Sequence, residues 1–189
     1  MRELVYYVAV SLDGFIAAPD GSFDAFLAEG DHMCVILDEY ADALPTAAAQ
    51  HLGAEQTGRR FGTVLMGANT YAVGLPAMPS PYSHLEQFVL TSRPHDPVDG
   101  VTFTSDDPVS LARDLKKQDG SDIWLCGGGL LAGQLLPEIN RLVLKRNPVV
   151  LGDGIGLFAG ASHSPGVFTL ARNRDFQSGA SISEFVRAG

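Results

Sequence analysis

The segment Ile123-Trp124-Leu125-Cys126-Gly127-Gly128-Gly129-Leu130-Leu131 carries the strongest structural signal in this 189-residue chain. Its apolar start predicts a short buried strand over 123–126, and the residues beyond the glycines predict a helix to about Leu136. Glycine lacks a Cβ, so a ligand could approach this turn closely, where the first helical N–H groups are unpaired. The segment therefore predicts either a phosphate cradle or a strand-to-helix turn without a ligand. Its spacing matches neither the G-x-G-x-x-G fingerprint nor the phosphate loop.

Two further segments place small or polar residues where a predicted strand ends. The strands span 61–66 and 87–91, and the first runs into a short helix that begins at about Ala68. The residues at these two strand ends are Gly67, Asn69, Thr70, Thr91, Ser92 and Arg93. They predict helix caps and solvated side chains, or, alternatively, phosphate ligands, among which an arginine offers a forked donor. Ligands of open α/β sheets bind at the carboxyl ends of strands, so we expect all three segments at one edge.

The remaining elements predict one α/β domain over residues 1–189. Further strands are predicted over 4–10, 101–104 and 141–150, and two more over 167–186 around Gly179. Helices are predicted over 31–44, with Asp31 as N-cap, and over 108–117, capped by Asp106 or Asp107. Residues 152–156 predict a turn or bulge. Early strands alternate with helices and the last ones do not, which predicts a mostly parallel sheet with an antiparallel end.

Composition excludes several classes of function. The chain has 13 Lys and Arg against 22 Asp and Glu, a net charge of −9, which opposes general binding to nucleic acid or to anionic membranes. No apolar run approaches the roughly 20 residues of a transmembrane helix. Cys34 and Cys126 form no disulfide framework or zinc motif, and the five histidines are scattered without ligand spacing. We therefore expect a cytoplasmic protein without a metal site.

In order, five segments resemble the dihydrofolate reductase superfamily, and within it the reductase domain of bifunctional riboflavin-biosynthesis proteins and its stand-alone bacterial relatives. They are AVSLDGFIA over 9–17, VLMGANTY over 64–71, LTSRP over 90–94, CGGGLL over 126–131 and PVVLGDGIGLF over 148–158. The resemblance implies a three-layer α/β fold: about eight strands in a mixed, mostly parallel sheet with antiparallel C-terminal strands, and helices on both faces. It also implies a homodimer that binds NADPH and reduces a small pterin- or pyrimidine-like heterocycle, as 5-amino-6-(5-phosphoribosylamino)uracil reductase does.

The resemblance also implies a cofactor site. Ala9 and Ile16 would line the nicotinamide, Ala9 through backbone hydrogen bonds. One side of the diphosphate would meet Gly67, Ala68, Asn69 and Thr70, the other Cys126, Gly127, Gly128, Gly129, Leu130 and Leu131, and the adenosine 2′-phosphate region Thr91, Ser92 and Arg93. The family usually has a basic residue after the glycine of the second strand. This chain has Ala68 there, so a preference for NADPH would rest mainly on Arg93.

Catalytic residues and substrate stay open at the level of sequence. Riboflavin-pathway reductases often carry a Lys in the first strand and a Glu before the glycines, where this chain has Tyr7 and Cys126. Dihydrofolate reductases hold the pterin with an acidic residue on the first long helix. The acidic residues that could take this role are Glu29, Asp31, Asp38 and Glu39. Asp13, near the nicotinamide end, predicts either a proton donor or a turn residue that binds backbone N–H groups.

Other functions compete with that of an NADPH-dependent reductase. A non-catalytic nucleotide-binding relative would keep the cradle without the chemistry, and dihydrofolate reductase activity is a further alternative. A thiol-dependent regulator would use Cys126, whose pKa would fall if it lay just before a helix N-terminus, whereas a buried cysteine would be inert.

Overall fold

The computed structural model describes residues 1–163 and 165–189 and is built around one large sheet. Its ten strands are β1 Leu4–Val10, β2 Phe15–Ala17, β3 Phe61–Gly67, β4 Glu86–Leu90, β5 Val101–Thr104, β6 Asp122–Gly127, β7 Arg141–Arg146, β8 Ile155–Gly156, β9 Phe168–Asp175 and β10 Ser181–Arg187. Eight strands form the sheet in the order β5-β4-β3-β6-β1-β7-β10-β9, and β2 pairs with β8 separately. The six neighbouring strands β5, β4, β3, β6, β1 and β7 are parallel to one another. Strand β10 runs antiparallel to its two neighbours, β7 and β9. The predicted mixed sheet with antiparallel C-terminal strands is confirmed.

Helices cover both faces of this sheet. They are α1 Met33–Glu39, α2 Thr46–His51, α3 Ala68–Ala72, α4 Pro108–Lys117 and α5 Gly129–Leu135. Leu4 packs with α4 and α5 in one apolar layer, whereas its neighbour Val5 packs with α1 and α3 in the other. Successive strand residues point to opposite faces, so strands covered on both sides are apolar almost throughout. Within the described residues, no helix is long and apolar enough to span a membrane.

The first predicted helix is shorter than its pattern indicated. Helix α1 ends at Glu39, and a separate 3-10 turn spans Ala41–Ala43. The prediction that Asp31 caps the helix is wrong. Its carboxylate accepts hydrogen bonds from the N–H groups of Gln177 (2.7 Å) and Ser178 (3.1 Å), in the turn between β9 and β10. A contact across 146 residues of sequence took the place of the local one.

Other predicted boundaries were partly right. Asp107, one of the two proposed caps of α4, accepts a hydrogen bond from the N–H of Ser110 at 2.9 Å. Strand β7 ends at Arg146, four residues before the predicted end at residue 150. Asn147 is buried there and donates its N–H to the carbonyl of Val10, and the proline that follows lacks an N–H. The stretch 152–156, predicted as a turn or bulge, also contributes β8, which pairs with β2.

Candidate functional site

A cleft opens between the two central strands of the sheet. The parallel pairing of β1 with β6 ends at Tyr6 opposite Leu125, although β1 continues to Val10 and β6 to Gly127. Over those last residues β1 pairs with β7 alone, as far as Val10 opposite Arg146. The two strands therefore separate at the carboxyl edge, the edge at which open α/β sheets bind ligands.

The backbone of Ala9 faces this cleft. The carbonyl of Val10 accepts from the N–H of Asn147 on the β7 side. The carbonyl of Tyr7 points the opposite way and accepts from the indole N–H of Trp124 on β6 at 3.0 Å. Backbone groups alternate in direction along a strand, so the N–H and C=O of Ala9 share the orientation of Tyr7. The pairing with β6 has already ended at this level, and a backbone donor and acceptor are left for a ligand.

A cavity of about 420 Å³ lies beside the cleft on the face covered by α1. Its walls include Tyr7, Ala9, Ile16, Trp124, Cys126 and Lys145, and apolar side chains from α1 and from the loop that precedes it. Three residues of the predicted cofactor site, Ala9, Ile16 and Cys126, thus line one space. A volume of this size falls within the range of small-molecule sites.

The two glycine turns that the sequence singled out lie next to each other. Gly127 pairs with Met66 of β3, and a Cβ placed on Gly128 would lie 3.2 Å from the hydroxyl oxygen of Thr70. Gly127 and Gly128 have φ values of +138° and +93°, a region that favours glycine. A Cβ on Gly67 or on Gly127 would have no neighbour within 4 Å. The space in front of both backbones is open to a ligand.

Gly129 serves packing. A Cβ there would overlap the carbonyl oxygen of Gly156, and a Cβ on Gly133 would come within 2.5 Å of the carbonyl of Ala159. These two glycines let the loop after β8 lie directly against α5. The side chain of Leu131 is buried in the core, while that of Leu130 is 63% exposed. Beyond Gly128, Leu130 is therefore the accessible side chain of this segment, and its Cδ2 lies close to Gly160.

The third predicted segment lies at the same edge. Gly67 is paired with Leu90, so the residues after β4 follow directly beside the start of α3. The hydroxyl of Thr91 accepts the N–H of Arg93 at 3.1 Å, which shapes the turn. Ser92 and Arg93 are exposed, as is Asn69, and the ion pairs of the described residues do not include Arg93. Its guanidinium is free to meet a phosphate.

Comparison with known proteins identifies the family. The sequence matches the RibD C-terminal domain over residues 2–180. This chain belongs to the RibD C-terminal domain family. It is 35% identical over 164 residues to the uncharacterized protein YwjB of Bacillus subtilis (strain 168), with 83% of each chain covered.

Two solved structures share the fold of this RibD C-terminal domain protein. One is the diaminohydroxyphosphoribosylaminopyrimidine deaminase/5-amino-6-(5-phosphoribosylamino)uracil reductase of Thermotoga maritima, with a TM-score of 0.70 and 15% identity. That match covers 99% of this chain and 57% of the Thermotoga chain. The other is the dihydrofolate reductase of Enterococcus faecalis complexed with NADP(H), with a TM-score of 0.62, 16% identity, and 99% and 97% of the two chains covered. The dihydrofolate reductase-like fold is thereby confirmed.

The proposed acids of this RibD C-terminal domain protein lie outside the cavity. Asp13 accepts hydrogen bonds from Ser11 Oγ (2.6 Å) and from the N–H groups of Leu151 and Gly152, and these donors lower its pKa to about 2. It stays ionised and ties two loops together. Asp31 is held by the β9–β10 turn, as described above, and Asp38 is exposed beside a separate surface depression.

The first helix presents no acidic side chain to the cavity. Met33 and Ile36 are the α1 residues that line it. Glu39 pairs with Arg172 and Arg174 instead, and Glu29 is exposed outside the cavity wall. The geometry therefore gives none of the predicted acids a position from which to hold or protonate a substrate in this space.

The thiol of Cys126 is unsuited to reaction. Strand β6 continues to Gly127, so Cys126 lies within the strand and its half-buried side chain turns to the cavity wall. Burial raises the pKa of the thiol to about 12, and Sγ lies 3.6 Å from the hydroxyl of Tyr82. The lowered pKa considered for a cysteine at a helix N-terminus is wrong. Of the two alternatives for Cys126, the structure therefore favours the buried, unreactive cysteine.

Sequence reasoning missed Lys145. It lies opposite Ala9 on β7, two residues after the buried Val143, and its side chain lines the cavity. Its ammonium donates to the carbonyl of Leu27 at 3.1 Å, and burial lowers its pKa. The available signal was a lysine inside a strand that otherwise faces a core, a position where a charge is costly.

Proposed function

We propose that this protein is an NADPH-dependent reductase that transfers a hydride to a small, flat heterocycle bound in the cavity between β1, β6 and α1. The observation that carries this proposal is the open cleft at Ala9. Ala9 and Cys126 both line the cavity, and Cys126 directly precedes Gly127, which is paired with Met66 beside the second glycine turn. A dinucleotide needs this combination, because its reactive ring must reach the substrate while its diphosphate lies against an open backbone.

The residues present match the requirements of NADPH. The N–H and C=O of Ala9 would bind the carboxamide of the nicotinamide, and Ile16 would pack against its ring. The diphosphate would lie between the two turns, against the open backbones of Gly67 and Gly127, and the guanidinium of Arg93 would bind the 2′-phosphate. When bound, NADPH would supply a hydride from C4 of the nicotinamide.

The chain itself contributes position and environment. The loop before α1 contributes the apolar side chains of Phe23, Phe26 and Leu27 to the cavity wall, and with a substrate bound these would limit the access of water. The cavity walls would hold the acceptor carbon about 3–3.5 Å from the hydride. No carboxylate belongs to the walls formed by the described residues, so the proton would come from water or from the ammonium of Lys145.

The comparisons support reductase chemistry. The substrate has to be inferred from the residues that line the cavity of this chain. Tyr7 and Cys126 occupy positions where riboflavin-pathway reductases often carry Lys and Glu, which argues against the phosphoribosylated pyrimidine as substrate. The missing acid on α1 argues equally against dihydrofolate. The cavity walls therefore favour a substrate that differs from both of these compounds.

Cofactor titration followed by turnover tests the proposal. Calorimetry should show NADPH binding, and NADPH consumption should follow in the presence of a suitable heterocycle. Dihydrofolate and 5-amino-6-(5-phosphoribosylamino)uracil are the two reference substrates, and both should be turned over poorly. Tight NADPH binding without turnover of any heterocycle would indicate the non-catalytic relative. Absence of binding to either nicotinamide cofactor at millimolar concentration would refute both functions.

The homodimer implied by the family resemblance remains part of the proposal. Light scattering of the purified protein would test it, with a molar mass of twice 20.1 kDa expected. A mass equal to one chain at working concentration would contradict it.

A further inference from the structure

We infer that the cavity selects a flat, largely apolar substrate through one oxygen acceptor, a carbonyl or carboxylate, which the ammonium of Lys145 binds. The same walls disfavour a phosphorylated sugar and an amino-substituted pterin. This inference rests on the proposed function, because it names the substrate class of that site.

Among the described residues, Lys145 is a cation without a charged partner. Within that part of the chain its ammonium makes one hydrogen bond, to the carbonyl of Leu27 at 3.1 Å, and an ammonium has three donors. The ion pairs of residues 1–163 and 165–189 do not include it. Lys116 and Arg174 are also partly enclosed and have carboxylate partners, Glu138 and Glu39. Buried Arg2 has no carboxylate partner but donates to two oxygens, the carbonyl of Ser121 and the hydroxyl of Thr63. A half-buried charge without such compensation is costly, so a ligand oxygen is the natural partner.

The position of Lys145 directs its charge to the ligand space. Residues two apart on a strand share a face, so Lys145 projects to the same side as Val143, beneath α1. It lies opposite Ala9, whose free backbone groups mark the proposed nicotinamide position. His32, which precedes α1, is the nearby titratable side chain, and burial together with the charge of Lys145 lowers its pKa. The carboxylate of Asp31, which the β9–β10 turn holds, acts on His32 in the opposite direction and raises its pKa.

The rest of the cavity wall presents a large aromatic surface but few polar groups that are free to bind a ligand. Trp124 and Tyr82 pack edge to face, 4.9 Å between ring centroids. The indole N–H of Trp124 is already donated to Tyr7, and the Tyr82 hydroxyl lies near the thiol of Cys126. Aromatic surfaces of this kind bind flat apolar rings. One strong donor among such surfaces matches a ligand with a single dominant acceptor.

Two substrate classes meet unfavourable walls. A sugar phosphate carries about two negative charges and several hydroxyls, and is usually held by more than one cation and by several donors. Lys145 is the one charged side chain among the described residues that line this cavity. An amino-pyrimidine or pterin ring presents N–H donors, which would be buried here without a carboxylate. Ligand donors that are buried without an acceptor lower the affinity strongly.

Calorimetric titration with small probes tests the inference without turnover. The probes are trans-cinnamate, its cationic analogue cinnamylamine, and ribose 5-phosphate, each added to cofactor-free and to NADPH-containing wild-type protein. Trp124 is the only tryptophan of the chain, so quenching of its fluorescence reports occupancy of the cavity. We expect trans-cinnamate to bind in both states, at least tenfold more tightly than cinnamylamine or ribose 5-phosphate.

Substitutions assign the effect to the ammonium. Lys145→Met should weaken trans-cinnamate about tenfold or more, the loss expected for a hydrogen bond to a charged group. Lys145→Arg retains the positive charge and should recover part of the affinity, which separates loss of charge from a general disturbance of folding. Lys117→Met removes an exposed lysine of α4, paired with Asp114, and should leave binding unchanged.

Three results would overturn the inference: no binding of trans-cinnamate in either state, equal affinity in wild type and Lys145→Met, or tighter binding of ribose 5-phosphate. Because the probes are titrated with and without NADPH, the two proposals can fail separately. A protein that binds trans-cinnamate through Lys145 but does not bind NADPH would refute only the reductase function. A protein that binds NADPH but fails the Lys145 test would refute only the substrate class.

Discussion

Replacement of Gly67 by alanine separates cofactor binding from folding. Gly67 has φ −80° and ψ 159°, values that alanine adopts without strain, and a Cβ there would have no neighbour within 4 Å. Alanine in place of glycine at a compatible position stabilises a protein by about 0.4–1 kcal/mol. Alanine is also a poorer N-cap than glycine, by up to about 1 kcal/mol, and Gly67 caps α3. The two effects oppose, so the free energy of unfolding should change by less than about 1 kcal/mol.

The same methyl group would stand in the space assigned to the diphosphate. A hydrogen bond to a charged group contributes about 1.5–3 kcal/mol, and each 1.4 kcal/mol corresponds to a tenfold change in affinity. Loss of one such bond should therefore weaken NADPH about 10- to 100-fold. The site would remain folded, with the α1 cavity intact.

Calorimetric titration of NADPH and thermal unfolding are the two assays. Gly62→Ala is the matched control, because Gly62 lies near the opposite end of the same strand and its Cβ would meet Ser121 at an ordinary 3.6 Å. That variant should bind NADPH like wild type. If Gly67→Ala also bound NADPH like wild type, the diphosphate would not lie against this backbone and the cradle would be refuted.

Three other predictions concern single side chains. Arg93→Ala should weaken NADPH far more than NADH in parallel titrations, since only NADPH carries the 2′-phosphate, and an equal loss for both would remove Arg93 from that role. The lowered pKa of Asp13, about 2, means that the stability its carboxylate contributes is complete above its unfolded value of about 3.9 and is lost as the pH falls toward about 2. The difference in Tm between wild type and Asp13→Asn should accordingly shrink over that range, and a constant difference would contradict the tether. With a thiol reagent near pH 8, exposed Cys34 should react rapidly and Cys126 slowly. The variant Cys34→Ser should therefore show only the slow phase. A fast phase in this variant would contradict the raised pKa of Cys126.

The strand-to-helix units could be predicted because their determinants are local. Apolar runs that end at glycine marked β3 and β6, and Asp107 before a proline marked the start of α4. Parallel strands place their carboxyl ends at one edge, so the adjacency of Gly67, Gly127 and the residues after β4 followed from the order of elements.

Long-range partners decided what the sequence could not predict. Asp31 is a residue type that often caps helices, but its carboxylate binds a turn 146 residues away in the sequence. Gly129 lies in a segment expected to face a ligand, but its missing side chain makes room for the loop after β8. The role of Lys145 could not be predicted from the sequence, because only the separation of β1 from β6 in the folded sheet shows that Lys145 borders a cavity. Among the described residues, the cavity wall has no carboxylate, and this too depends on how distant segments assemble.

A crystal structure of the protein with NADPH tests the central claim most directly. The account predicts the nicotinamide in the cleft between β1 and β6, hydrogen-bonded to the N–H and C=O of Ala9, with the diphosphate between Gly67 and Gly127. It also predicts that the free face of the ring borders the cavity that contains Lys145. NADPH bound elsewhere on the protein, or in the cleft with its adenosine end at Ala9, would contradict it.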